Sequence, residues 1–295
     1  MTLEVGDAPS CNQRIGHSLW LRLSIGLLAA TLIPIGIHTV LLDYLGVPYP
    51  AALPHAGLAI VPDHVLLMGG IIVLDAVMRR RGVKWAGRLA FLFLTVAVIN
   101  QVLFRVPIMR NVVSTKWTIY PFIDNLPDMS RVGAMVLAAM AINYLSQRVQ
   151  TRVVLATIST LAVDIVVMPL IRAAFAGIIA NNAMREGEQL YDIPYDWHVN
   201  VPSYLTSIEP AAGALIVALT LQRAKVRPWV SACVIFALQA GPLFRLALNP
   251  FYAPSGIALA ILSEAQFTFE AIALALIVVG TSRGLGDRRK ADASA

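Results

Sequence analysis

Charge is scarce in this chain. Of 295 residues only 14% are Asp, Glu, Lys or Arg, while 58% are hydrophobic and the mean hydropathy is +0.71. A water-soluble domain of this size needs a polar surface that such a composition does not supply. Cysteine is nearly absent as well. Cys11 precedes the first apolar run and Cys233 lies inside a later one, so they meet different surroundings and predict no structural disulfide. The five histidines (His17, His38, His55, His64, His198) show neither zinc-ligand spacing nor a repeated iron-binding box. Missing too are a glycine-rich phosphate loop, an aspartate-rich metal-diphosphate motif, a serine nucleophile elbow and a cysteine pair for thiol chemistry. No metal and no cofactor is expected on these grounds.

What the chain has is apolar length. Eight runs stand out: Leu19 to Tyr44, Gly57 to Met78, Trp85 to Phe104, Met129 to Ser146, Val153 to Ala180, Pro202 to Leu221, Pro228 to Leu248 and Gly256 to Thr281. Most are near the ~20 residues that a membrane-spanning helix needs. The first is too long for a signal-peptide core and lacks a clean cleavage site, so it reads as a retained helix. The pattern predicts an all-α polytopic membrane protein with about eight transmembrane helices.

The sparse charges orient it. With a cytoplasmic N-terminus, fourteen Lys and Arg fall on the inner side, among them Arg79, Arg80, Arg81, Lys84, Arg148, Arg152, Arg223, Lys225 and Arg227, and five on the outer side. That asymmetry is the positive-inside pattern for eight helices with both termini cytoplasmic, and it predicts residence in the cell's inner membrane. The net charge of +6 therefore reports orientation, with weak contact to anionic lipid, and implies no nucleic-acid partner.

The halves resemble each other. "RRRGVKW" at Arg79 to Trp85 is echoed by "RAKVRPW" at Arg223 to Trp229, "LFR" at Leu103 to Arg105 by Leu243 to Arg245, "VPYP" at Val47 by "IPYD" at Ile193, and Pro34 by Pro169. These echoes predict two four-helix repeats, residues 19–146 and 147–281, between a cytoplasmic N-terminal tail (1–18) and a C-terminal tail (282–295). Four is even, so the copies would be parallel, related by an axis along the membrane normal. The two long loops, Asn111 to Asp128 and Asn181 to Val201, carry Trp117, Tyr120, Phe122, Tyr191, Tyr195 and Trp197, which suit an interfacial belt or a lid over an outer cavity.

Function is sought in the intramembrane polar groups. Each charge at the bilayer centre costs at least ~2.5 kcal/mol and must find protein or water. Most of them lie in the outer half: His38, Asp63, His64, Asn100, Gln101, Arg105, Arg172, Glu209, Gln239, Arg245 and Glu264; Asp75, Asn143 and Asp164 lie deeper. Within the last run, "SEAQFTFEAIALAL", Glu264 sits ~12 Å and Glu270 ~21 Å below the outer helix end. Six residues put them about 120° apart, so they predict separate partners and no carboxylate dyad. Gln101 and Arg105, four apart, share a face, as do Gln266 and Glu270. Pro62 and Asp63 make an ordinary helix start, and His64 a proton shuttle or a hydrogen-bonded anchor.

These groups lead to an expectation of an outward-opening polar cavity. In it, an integral membrane enzyme would act on a lipophilic isoprenoid or lipid by acid–base chemistry, as an isomerase, cyclase or lipid-modifying enzyme. Glu264, Glu270, Asp63 and His64 would be catalytic, and Arg105, Arg245, Gln101, Gln239, Glu209 and Arg172 would bind substrate. The alternative is a proton-coupled transporter of a small anionic solute, in which the same carboxylates carry the proton. A third reading is a structural subunit whose charges meet a partner helix in a membrane complex.

Overall fold

A computed structural model describes residues 11–48, 60–113, 119–182, 196–239 and 256–293. Among the described residues every regular element is helical. Four helices are long and apolar enough to cross a membrane: Trp20–Thr39, Val61–Arg80, Val149–Ala180 and Ile257–Arg283. The chain is a helical membrane-embedded protein.

The first helix, α1 (Cys11–Thr39), already starts within the stretch expected as a tail and continues into a π turn at Val40–Tyr44. Next come α2 (Val61–Arg80) and α3 (Trp85–Ile99), the short α4 (Arg105–Val112) and α5 (Tyr120–Asp124), and α6 (Leu126–Leu145). In the second half α7 (Val149–Ala162) passes through another π turn, Val163–Val167, into α8 (Met168–Asn182). They are followed by α9 (Trp197–Leu205), α10 (Ile208–Arg223), α11 (Pro228–Leu238) and α12 (Ile257–Ala293). The last helix runs on through most of the segment expected as a polar tail.

Two apolar runs are interrupted where the sequence suggests continuous helices. In the third run α3 stops at Ile99 after 15 residues, about 22 Å, and Gln101 turns left-handed at φ 63° before α4 begins. In the seventh, α11 stops at Leu238 after 11 residues, about 16 Å. Neither reaches across ~30 Å of hydrocarbon by itself. Their freed ends are joined: the Asn100 side-chain amide donates to the Val96 carbonyl at 2.9 Å and to the Leu238 carbonyl at 2.8 Å. Gln239 does the same service one layer on, donating to Ile235 and Ala271 carbonyls at 3.3 and 3.0 Å. Carbonyls with no water to bond are thus satisfied by neighbouring amides, which is what permits a break inside the membrane.

Several helix contacts recur along the chain. α2 lies against α11 and α10 against α3; α2 against α6 and α10 against α12; α3 against α6 and α11 against α12. The long α1 lies along α12, while α7 and α8 lie along α6. The buried positions repeat as well. Leu67, Met68, Gly70, Ile71, Ile72, Leu74, Asp75 and Met78 of α2 are matched, 143 residues on, by Pro210, Ala211, Gly213, Ala214, Leu215, Val217, Ala218 and Leu221 of α10. Val132, Met135, Val136, Ala139 and Asn143 of α6 are matched, 139 on, by Ala271, Leu274, Ala275, Val278 and Ser282 of α12. The turns after α2 and α10 also agree. Gly82 (φ 73°) and Lys225 (φ 56°) occupy the same left-handed place, and the next N–H, of Val83 or Val226, bonds back to Met78 or Leu221.

Glycine sets the closest approach. Gly70 faces Leu238, and Gly213 faces the end of α3, where an added Cβ would come within 2.8 Å of Val98 and 2.9 Å of Ile99. Gly213→Val should therefore overpack this crossing and cost about 1–3 kcal/mol, read as a lower unfolding temperature in detergent. Gly69→Ala, mid-helix with open space at its Cβ, should leave stability unchanged or raise it by up to about 1 kcal/mol. Equal behaviour of the two variants would show that the close crossing does not limit stability.

Candidate functional site

A π turn ahead of a proline builds a buried histidine–carboxylate pair. Pro169 has no N–H for the carbonyl four residues back and its ring crowds that carbonyl, so the ladder widens just before it. The Met168 N–H reaches back to Val163, closing the π turn that carries Asp164. Across from it, α2 opens with Pro62 and Asp63 in its first turn and His64 just behind. His64 Nδ1 lies 2.8 Å from Asp164 Oδ2, with the two side chains 7% and 8% exposed. The ring nitrogen that faces Asp164 is Nδ1, which leaves Nε2 on the far side of the imidazole. One turn below Asp164, the fully buried Thr160 hydroxyl has no hydrogen-bond partner among the described residues.

A second histidine–carboxylate pair ties the ends of the chain together. His38 Nδ1 on α1 lies 3.3 Å from Glu270 Oε1 on α12, both side chains about a quarter exposed or less, and the Phe267 ring packs against the imidazole at 5.9 Å. Glu264, six residues earlier, is buried at 2% exposure, and Gln266 beside it donates to the Ser263 carbonyl. Glu270 thus finds its partner on α1, in keeping with the angular separation of the two glutamates. Asp63 is buried as well.

The residues expected to bind substrate are largely occupied by the fold. Both oxygens of Glu209, in the first turn of α10, accept the Phe104 N–H at 3.2 Å, and Oε2 also accepts the Arg105 N–H. A carboxylate thus caps the start of α4, where its charge complements the helix dipole. Arg105 Nη1 donates to Gln101 Oε1 at 2.9 Å; the contact implied by their four-residue spacing exists, although a turn rather than a helix makes it. Gln239 is the carbonyl-capping amide described above. Arg172 lines a groove of about 480 Å³ with Arg110, Asp124 and Asp128, where Arg110 pairs with Asp124 and Arg131 with Asp128. Arg245 and the aromatic residues Trp117, Tyr191 and Tyr195 lie outside the described residues, as does the repeat of the "LFR" motif.

One polar group is more developed than the sequence suggests. Asp75, fully buried on α2, accepts from the Asn143 amide at 2.9 Å and lies 3.4 Å from Arg88 Nε on α3. The same Asn143 amide donates to the Ile72 carbonyl at 2.8 Å, and Arg79 Nη1 donates to the Asn143 carbonyl at 2.8 Å. The sequence signal for this cluster is that three polar groups, at Asp75, Arg88 and Asn143, interrupt three different apolar runs at similar depth. Among the described residues no group of three or more His, Cys, Asp or Glu could hold a metal ion. Comparison with known proteins finds no matching family model, no similar curated protein and no similar solved structure.

Breaking the His64–Asp164 pair leaves a buried polar group uncompensated, so His64→Leu or Asp164→Leu should each cost about 3 kcal/mol. The double variant should recover part of that loss, because both polar groups go together. Thermal unfolding in detergent measures the cycle, and strictly additive losses would mean the two side chains are not coupled.

Proposed function

We propose that this protein is a proton-coupled transporter of a small anionic solute, and that His64 and Asp164 handle the coupling proton. The observation that carries this reading is the pair itself. It is buried, it joins an imidazole to a carboxylate, and it bridges α2 to the π turn between α7 and α8. A proton held between two bodies makes their contact depend on protonation, which is what alternating access requires. His38 and Glu270 make a looser contact at 3.3 Å, without a hydrogen bond, from α1 to α12.

The architecture supports the same reading. We infer eight membrane crossings in two parallel four-helix repeats, both termini cytoplasmic, with α3 and α11 each ending short of a full crossing. The supports are the matched buried positions, the matched left-handed turns at Gly82 and Lys225, and the reciprocal packing of α1 with α12 and of α7 and α8 with α6. Broken helices with satisfied carbonyls near the middle of the bundle are a transporter device. Arg105 and Arg172 remain candidates for the anion, together with Arg245, and Glu264 and Asp63 for a further proton.

The enzyme reading draws less from the geometry. It asks Glu264, Glu270 and Arg105 to face a common substrate. Among the described residues Glu270 is engaged by His38, and Arg105 is engaged by Gln101. A structural-subunit role has no specific observation in its favour.

The test is flux. In liposomes with a pH gradient, currents or internal pH changes driven by acetate, lactate, citrate or phosphate should appear with the wild type and fall at least tenfold with Asp164→Asn, a change that keeps the shape but removes the charge. Flux that survives Asp164→Asn would refute the role of the pair. No flux with any solute, together with an isoprenoid lipid turned over by the wild type and lost in Glu264→Gln, would return the enzyme reading.

A further inference from the structure

The arginine-rich face of the bundle carries a cavity that neither the fold nor the proton pair needs. It measures about 480 Å³ and opens between the end of α2, the end of α6 and the start of α7, with Arg79, Arg80, Arg152 and Gln147 around it and Asn143 among its walls. Two of the guanidiniums are held in place. Arg79 donates to the Asn143 carbonyl at 2.8 Å, and Arg152 Nε donates to the Ser146 carbonyl at 3.0 Å. Each keeps further N–H groups for a ligand, since a guanidinium has five. Asn143 is itself 2% exposed, with its amide used on Asp75 and Ile72 and its Oδ1 without a partner among the described residues.

We propose that this cavity is a binding site for a phosphate-bearing headgroup, of the glycerophospholipid class with a hydroxyl or ammonium donor. Arginine forks match phosphate oxygens. Gln147, also in the wall, carries an amide oxygen that can accept from the hydroxyl or ammonium group of the headgroup. Val149, 74% exposed, lines the same cavity and offers acyl chains an apolar edge that inorganic phosphate would not use. The partner positions in the second half argue that the fold does not require this polarity. Asp75, Arg79 and Asn143 correspond there to Ala218, Gln222 and Ser282, yet α10 and α12 pack as α2 and α6 do. That last step rests on the duplication proposed above; the cavity and its arginines do not, and the site is independent of whether the protein transports anything.

Native mass spectrometry of the purified full chain tests the site, with phosphatidylglycerol, phosphatidylcholine and inorganic phosphate added in turn. A stoichiometric phosphatidylglycerol adduct is expected, weakened roughly 30-fold in Arg79→Gln/Arg152→Gln, because the variant removes guanidinium N–H groups that meet the phosphate directly. The control Arg81→Gln/Lys84→Gln removes the same charge from the same face outside the cavity and should retain the adduct. Arg80→Gln, whose native side chain makes no hydrogen bond to the described residues, serves if the double variant does not fold, and should weaken the adduct by itself. Equal weakening in the control would reduce the effect to surface charge and overturn the site. Binding of inorganic phosphate as tight as of lipid would overturn the lipid class in favour of a soluble phosphate, and no adduct with any probe would overturn both.

Discussion

Hydrocarbon offers no partner to a charge or a backbone amide, and this constraint orders the whole molecule. Each polar group within the apolar runs must be answered by another part of the chain, and the answers come from far away in sequence. His64 is answered by Asp164, Asp75 by Asn143 and Arg88, and the Leu238 carbonyl by Asn100. Polar contacts therefore specify which helices are neighbours, while the apolar contacts between them are largely interchangeable. In water the hydrophobic effect would drive those helices together; in lipid, close packing at Gly70 and Gly213 and these few hydrogen bonds must supply the specificity.

The broken helices follow from the same constraint. A helix that stops inside the bilayer exposes its last carbonyls, and these must be capped or the break is too costly. At α3 and α11 the caps are Asn100 and Gln239, the first residue past each helix. Because the Asn100 amide bonds its own helix and the end of α11 at once, the two breaks share a junction. The pair Glu209 and α4 shows the complementary solution at a helix start, where a carboxylate meets free N–H groups. Residues that look like substrate ligands in the sequence are here part of the backbone's own satisfaction.

That difference explains what could be read from the sequence and what could not. Apolar length and sparse charge sufficed for a helical membrane protein, and the six-residue spacing of Glu264 and Glu270 sufficed to separate them. The breaks at Ile99 and Leu238 were hidden because both lie inside uninterrupted apolar runs, where a polar amide looks like an exception rather than a stop signal. The π turn was signalled by Pro169, but its consequence, Asp164 presented to α2, depends on a partner 100 residues away. Pairing across such distances is a property of the assembled bundle. Local pattern carries the period of a helix and its ends; it does not carry which helix lies opposite.

The matched and unmatched positions then separate support from function. Where α2 and α10 share buried positions, the side chains are mostly Leu, Ile, Val, Ala and Gly, and either set fills the same space. Where they differ in kind, one half has Asp75 and the other Ala218, one half His64 and the other Ser207. A bundle that packs equally well with Ala218 has no structural need for an aspartate at the equivalent place, and a buried ion pair is weak support for stability in any case. On the duplication proposed above, the charges present in only one half are not required by the packing scheme. The His64–Asp164 pair and the Asp75 cluster both lie on the side of α2 that faces α6 and α7, with the arginine cavity at the end of the same seam.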